Sequence, residues 1–302
     1  MTYDAVIIGA GPAGMTAALY LLRAGKTALL IEKESIGGQI SKSPRLENYP
    51  SIASISGMEF ANNLYEQVMA LGADLEFDEV TSIKKTEEGF ELTCAYSTQV
   101  GKNVIIATGC HHKTLGLPRE EELVGKGISY CATCDGDFFA GEDVVVIGDA
   151  NTALQYALQL SAKCTKVTVV TLFDKFFADK ILVDRLLENP KIEVHMEYSA
   201  IEYVGANELE GVKFKHTKTG EEKFFPCKGC FIAIGQQPCN EPFEEFVELD
   251  KGFIVVDERM ATKTPGIYAC GDCRKKNMRQ VVTATSDAAI AAMSVVNDLN
   301  TK

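Results

Sequence analysis

The sequence predicts an α/β protein made of two three-layer domains, and three observations predict it. A glycine-rich turn, Gly9-Ala10-Gly11-Pro12-Ala13-Gly14, joins the apolar strand pattern Val6-Ile7-Ile8 to an apolar helix pattern that runs from Met15 to Leu22 and ends near Gly25. A second strand-turn-helix unit begins in mid-chain at Val144-Val145-Val146-Ile147. The 302 residues, with no low-complexity run, suffice for one large core or two medium ones, and two is the better expectation. Strand, tight turn and helix, begun twice, is the Rossmann-like pattern.

Each glycine of the first turn has a mechanical use. Gly9 permits the turn, Gly11 lets backbone approach a pyrophosphate, and Gly14 lets the helix pack close on the strand. The helix N-terminus, opened by Pro12 and Ala13, then presents unpaired N–H groups to the anion. A second strand, Ala28 to Ile31, ends in Glu32, about 20 residues beyond the turn, where a carboxylate accepts hydrogen bonds from ribose hydroxyls. The plainer reading, a glycine-rich turn with no ligand, does not call for this whole βαβ context.

A formal charge of −12 without a Lys/Arg cluster of the kind that neutralises phosphates argues against nucleic acid and anionic membrane as main partners. The longest apolar runs, Val144–Ile147 and Ile105–Ala107, are strand-sized, far below the about 20 residues that span a bilayer. Met1 leads directly into a strand pattern rather than an apolar signal core, so a cytoplasmic location is expected. The ten cysteines are diluted through a long chain and read as thiols, metal ligands or a redox pair.

Three pairs have CxxC spacing: Cys131/Cys134, Cys227/Cys230 and Cys270/Cys273. Two such pairs brought together would make a tetrahedral zinc site, and spacing alone leaves that open. Cys227-Lys228-Gly229-Cys230 leads into Phe231-Ile232-Ala233-Ile234, however, which reads as a buried strand. Only Cys131-Ala132-Thr133-Cys134-Asp135-Gly136 places an acid directly after the second sulfur. A dithiol needs a thiolate to attack and a proton source for the leaving thiolate, so Asp135 is the candidate general acid; the alternative is a turn-forming Asp-Gly. Cys94, Cys110, Cys164 and Cys239 are expected to pack as small hydrophobes.

With the glycine turn and Cys-Ala-Thr-Cys-Asp-Gly together, nearly the whole chain resembles the low-molecular-weight thioredoxin reductase family. Gly37-Gly38-Gln39 with Glu47-Asn48-Tyr49-Pro50 resembles the family's flavin loop, and Ala107-Thr108-Gly109 resembles the strand end where the chain leaves the first domain. Tyr268-Ala269-Cys270-Gly271-Asp272 resembles the segment whose Asp binds the ribityl chain, and Arg279-Gln280-Val281 the turn against the flavin ring. The resemblance implies FAD as cofactor and a discontinuous FAD domain, 1–114 with 243–302, into which a nucleotide-type domain, 115–242, carrying the CxxC is inserted. It further implies a homodimer formed through the FAD domains, thioredoxin or a related disulfide protein as substrate, Cys134 over the flavin and Cys131 attacking the partner disulfide.

The second nucleotide turn departs from that family. It reads Gly148-Asp149-Ala150-Asn151-Thr152-Ala153: the middle glycine is replaced by Ala150, whose methyl obstructs the backbone approach to a pyrophosphate, and Asp149 adds negative charge. After the next strand, Val167 to Val170, members that use NADPH carry an arginine cluster for the 2′-phosphate, whereas this chain reads Thr171-Leu172-Phe173-Asp174-Lys175-Phe176-Phe177. Only Arg185 lies between Arg119 and Arg259. Losing such charge-assisted bonds, each worth about 1.5–3 kcal/mol, weakens binding by powers of ten. NADH is no easy substitute, because no acidic residue closes the strand end. In this respect the chain is similar to the ferredoxin-dependent flavin thioredoxin reductases, which implies ferredoxin as electron donor; a weak NAD(P)H enzyme and other flavin-linked donors are the alternatives. Arg274-Lys275-Lys276 with Arg279 is the candidate basic dock for an acidic ferredoxin, against an ordinary solvated basic loop. Phe173, Phe176 and Phe177 either fill the vacated nucleotide pocket or are plain core. Two rivals from other classes are a flavin-binding sensor that dispenses with Cys131 and Cys134, and a metal or iron–sulfur protein built on the CxxC pairs.

Overall fold

The computed structural model describes residues 1–43 and 45–301. The chain forms two compact units, Met1–His111 with Gln237–Lys302 and His112–Gln236. The expected joints at 114/115 and 242/243 lie a few residues past the observed divisions. The segments at these crossings, Cys110–His112 and Gln236–Pro238, pair with each other as a two-stranded sheet.

The first unit is built on a five-stranded parallel sheet in the order Ile267–Ala269, Val104–Ile106, Ala5–Ile8, Ala28–Glu32, Asp74–Phe77. These strands are apolar on both sides because both faces are covered. Ile7, Leu30, Ile105 and Tyr268 pack under the helices Pro12–Arg23 and Val281–Asn300. Their neighbours Val6, Ile8, Leu29, Ile31, Val104 and Ile106 face the opposite way and meet Ile83, Phe90 and Leu92 of an antiparallel layer.

The second unit repeats the plan. Its parallel sheet has the order Ile128–Ser129, Gly229–Ile232, Asp143–Ile147, Lys166–Val170, Ile192–His195. Val144, Val146, Val167 and Val169 pack on Ala153, Leu154, Ala157 and Leu160 of the helix Asn151–Ser161, while Val145, Ile147 and Val170 meet Tyr203, Val212 and Phe214 of an antiparallel meander. Each unit is therefore helix, parallel sheet and antiparallel sheet in three layers, the α/β architecture the sequence implies. None of the helices is long and apolar enough to cross a membrane, among the described residues.

Candidate active site

In the first unit the glycines of the turn fall into two kinds. Gly9 has φ +108°, and a Cβ there would lie 2.5 Å from the Ala107 carbonyl oxygen; a Cβ on Gly14 would lie 1.8 Å from the Gly9 carbonyl oxygen. Those two are required by the turn itself. Gly11 is different: a Cβ there meets nothing nearer than the Gly37 oxygen at 3.8 Å. Its missing side chain keeps open space at the start of the Pro12–Arg23 helix, where Gly11 is an N-cap with no side-chain capping bond. The Gly37 N–H donates to the Ala10 carbonyl at 2.9 Å, which brings Gly38 within 3.6 Å of Gly11 by the same measure. Glu32, at the end of its strand and buried, accepts the Ala10 N–H at 2.7 Å on Oε2 and the Glu34 N–H at 2.8 Å on Oε1. The carboxylate therefore braces the turn.

Of the other expected segments, those at Ala107 and Gly271 meet the same turn. Gly271, at φ +79°, sits so close to Ala13 that a Cβ would lie 2.8 Å from the alanine methyl. Asp272 follows it with Oδ1 buried and without a hydrogen bond; Lys276 Nζ stands 3.7 Å away. Burial raises the Asp272 pKa, against the opposing charges of Lys276 and Arg279. Arg279 donates to the Asp272 carbonyl at 3.2 Å and lies over the Phe253 ring. Gln280 opens the helix Val281–Asn300 with a capping box to Thr283 and accepts from Asn48 Nδ2 at 2.9 Å. Gln39 contacts His111 Nδ1 at 3.0 Å, Thr108 donates to Asn240 Oδ1 at 3.1 Å, the Ala107 N–H donates to the Ile8 carbonyl, and Gly109 takes φ +67°.

The proposed basic dock is corrected by the structure. Arg274 makes a two-pronged ion pair with the buried Asp287, Lys276 donates to the same carboxylate at 2.8 Å, and Lys275 pairs with Asp250. Arg274 and Lys276 are thus structural cations, folded inward around one buried acid. An aspartate within the alanine-rich run of the last helix was the available sequence signal for this trio. Burial pushes the Asp287 carboxyl up, but the hydrogen bonds from Arg274 and Lys276 outweigh it and hold the group below the ordinary carboxylate range. A depressed folded-state pKa stabilises above the unfolded value of about 3.9 and loses that contribution as pH falls through the folded one. Thermal unfolding should therefore show a drop in Tm below about pH 4 that Asp287→Asn lacks; Asp287→Asn itself leaves two inward cations uncompensated and should cost about 3–5 kcal/mol at neutral pH.

In the second unit Cys131 and Cys134 form a disulfide. Cys131 caps the short helix Ala132–Asp135, its Sγ accepting the Cys134 N–H at 3.1 Å, and Cys134 is exposed. Asp135 follows with Oδ2 accepting from Ser129 Oγ at 2.6 Å and Oδ1 buried without a hydrogen bond. Burial raises its pKa, partly offset by Ser129, so the group is biased toward the protonated form that an acid needs. The remaining cysteines fit a packing role: burial pushes the Cys110 and Cys227 thiols up to about 12 and the Cys273 thiol to about 11, and raises Cys94, Cys164, Cys230 and Cys270. Among the described residues no group of three or more His, Cys, Asp or Glu side chains is placed to hold a metal ion.

The degenerate turn of this unit is covered by its own chain. Gly148 keeps its strained φ of +148°, but the Phe177 N–H donates to the Asp149 carbonyl at 2.8 Å, and Phe177 bridges to Ala150 in parallel fashion. Asn151, the first residue of the helix, is tied to Asp179 by two bonds: its Oδ1 accepts the Asp179 N–H at 2.8 Å and its Nδ2 donates to the Asp179 carboxylate at 2.9 Å. Residues 177–179 are thus bonded onto the turn and helix start where a pyrophosphate would lie. Phe176 packs half-buried against the core, while Phe173 and Phe177 pair edge to face and remain about half exposed.

With two such units, a glycine turn and a dithiol followed by an acid, the fold and site define a flavin-type disulfide oxidoreductase, and comparison with known proteins agrees. Residues 3–288 match the family described as pyridine nucleotide-disulphide oxidoreductase. A thioredoxin reductase of Treponema pallidum (strain Nichols) is 40% identical over 99% of this chain and 98% of its own, and one of Bacillus subtilis (strain 168) is 41% identical over 97% and 93%. The crystal structure of thioredoxin reductase from Streptococcus pyogenes MGAS5005 superposes with a TM-score of 0.96 at 36% identity, covering 100% of this chain and 99% of that one. The chain belongs to the thioredoxin reductase family of pyridine nucleotide-disulphide oxidoreductases. Members of this family are FAD-binding flavoproteins. The first unit fits that cofactor: the space at Gly11 admits a pyrophosphate, and the orphaned Oδ1 of Asp272 awaits a hydroxyl donor.

Proposed function

We propose that this protein is an FAD-dependent reductase of thioredoxin, or of a similar protein disulfide, which takes its electrons from ferredoxin or a comparable one-electron donor rather than from NADPH. The observation that carries the choice of donor is the Phe177 N–H bonded to the Asp149 carbonyl, with Asn151 tied to Asp179 beside it. A nucleotide would have to displace these bonds, accommodate the Ala150 methyl and find a cation for its 2′-phosphate where the stretch 171–177 holds Lys175 and no arginine.

In this reading Gly9, Gly11, Pro12, Ala13 and Gly14 form the pyrophosphate turn, and Glu32 meets the ribose. Gly38, Gln39 and Asn48 line the flavin loop, Ala107, Thr108 and Gly109 bound it, and Gly271 with Asp272 holds the ribityl chain. Arg279, Gln280 and Val281 border the ring. Bound FAD supplies the means of collecting single electrons and passing them on as a pair. Cys134 receives that pair in the disulfide, Cys131 attacks the partner disulfide, and Asp135 moves the proton that the exchange requires. The unit 1–114 with 243–302 is then the FAD domain and the place where two copies meet, and 115–242 is the domain that carries the dithiol.

Direct binding tests the donor. Calorimetric titration of the oxidised protein with NADPH and NADH is expected to give no binding heat in the micromolar range, and saturation at micromolar NADPH would overturn the choice.

A further inference from the structure

Ser129, two residues before the dithiol, has no role in the reading above, yet its environment is tightly specified. It ends the edge strand Ile128–Ser129 and is 3% exposed. Its Oγ accepts the Cys131 backbone N–H at 3.0 Å and donates to Asp135 Oδ2 at 2.6 Å. A serine hydroxyl has a single proton to give. Its other acceptor, the Cys131 carbonyl, stands at 3.4 Å, so the shorter bond to the carboxylate claims that proton. The second carboxyl oxygen, Oδ1, is buried and makes no hydrogen bond.

We propose that Ser129 is a positioning residue that decides which oxygen of Asp135 carries the transferable proton: Oδ2 is held as the acceptor of the serine hydroxyl, and the acid proton resides on Oδ1. The inference rests on the reading of Asp135 as the general acid. Because Ser129 is itself anchored on the Cys131 N–H, the carboxyl is held in a fixed relation to the first cysteine of the pair. Two electrons entering the Cys131–Cys134 bond break it, and one of the two resulting thiolates takes the proton from Oδ1. In the return half, one thiolate attacks the partner disulfide, and the partner S–S bond breaks as a mixed disulfide forms. The second cysteine returns its proton to Asp135 Oδ1 and closes the Cys131–Cys134 bond, and the two released partner sulfurs take their two protons from water, so that the partner leaves as a dithiol.

The groups that face this carboxyl are few. Tyr156, from the helix Asn151–Ser161, has its phenol pushed up by burial and by the Asp135 charge; Asp137 on the following turn is paired with Lys163 at the surface. The shift of Asp135 itself has burial as its largest cause and the Ser129 bond as the opposing one.

The experiment uses the flavoprotein with Ser129→Ala, Ser129→Thr, Asp135→Asn and the S129A/D135N pair. Each is reduced, alkylated with iodoacetamide across a range of pH, and read by mass spectrometry at Cys131 and Cys134. The parent profile should contain an inflection that Asp135→Asn removes. Ser129→Ala should move that inflection up by about one pH unit, since the ionised carboxylate has lost one hydrogen bond. Ser129→Thr, which keeps the hydroxyl, should leave it near its parental place, and the double variant should overlay Asp135→Asn. A Ser129→Ala profile that overlays the parent while Asp135→Asn differs would overturn the positioning role and leave the acid in place. An Asp135→Asn profile that overlays the parent would remove the acid assignment, and the positioning role with it.

Discussion

Replacing either Cys131 or Cys134 with serine is expected to lower thioredoxin reduction by about a thousandfold or more, leaving FAD bound at the parental ratio. Serine keeps the size and the hydrogen-bonding sense of the side chain, but its hydroxyl neither ionises near neutral pH nor forms the S–S bond through which the electron pair must pass. Of the eight other cysteines, seven are buried in packed surroundings, where burial pushes up their thiols, and Cys239 lies in the other unit. Cofactor content should not move, because the pair lies in the unit His112–Gln236 and the proposed flavin residues lie in the other. A thioredoxin-linked insulin reduction assay together with the flavin-to-protein absorbance ratio reads both quantities. Parental turnover by either variant would show that another sulfur does the work, and the assignment of this pair would fall.

The second large effect concerns the glycine turn, where two substitutions should separate fold from cofactor. Gly14→Val places a Cβ 1.8 Å from a backbone oxygen that has nowhere to go, so the Pro12–Arg23 helix must part from the strand beneath it. Destabilisation of about 3 kcal/mol and loss of FAD together are expected. Gly11→Ala adds its methyl to open space and should fold with nearly parental stability, yet it should bind FAD at least about tenfold more weakly, because in the proposed reading the methyl would stand where the pyrophosphate comes closest to the backbone. Thermal unfolding of the apoproteins and fluorescence titration with FAD check the two arms. If Gly11→Ala bound FAD as tightly as the parent, the turn would not be the pyrophosphate cradle.

Much of this was legible in the sequence because the elements that matter are strongly patterned. A fully buried parallel strand leaves a short unbroken apolar run, which is why Val6-Ile7-Ile8, Ala28 to Ile31 and Val144 to Ile147 read as strands, each one residue short of the observed Ala5–Ile8, Ala28–Glu32 and Asp143–Ile147. The glycine spacing marked the turn, and the acid after Cys134 marked the dithiol. Side-chain partners were another matter. Arg274, Lys275 and Lys276 read as a surface patch because a charge run carries no record of Asp287, thirteen positions on from Arg274, whose carboxylate draws two of the cations inward. Position alone made Glu32 the candidate for a ribose, but its two bonds to backbone N–H groups depend on how the turn and the strand end fold back together. Ser129 gave no signal at all, since a serine before a CxxC is common chemistry in an uncommon place only once the Asp135 carboxyl is seen against it. The cover over the second turn was half visible: the lost glycine and the missing arginines could be counted, whereas the bond from Phe177 to Asp149 required the loop to be followed in space.

In the proposed reading, electrons reach a working dithiol without passing through a nucleotide bound at the Gly148 turn. The visible flavin absorbance, followed under anaerobic conditions with NADPH, NADH and chemically reduced ferredoxin in parallel, decides between the donors. Bleaching by ferredoxin alone, with colour returning on addition of oxidised thioredoxin, is the expected result, and rapid bleaching by micromolar NADPH would contradict it.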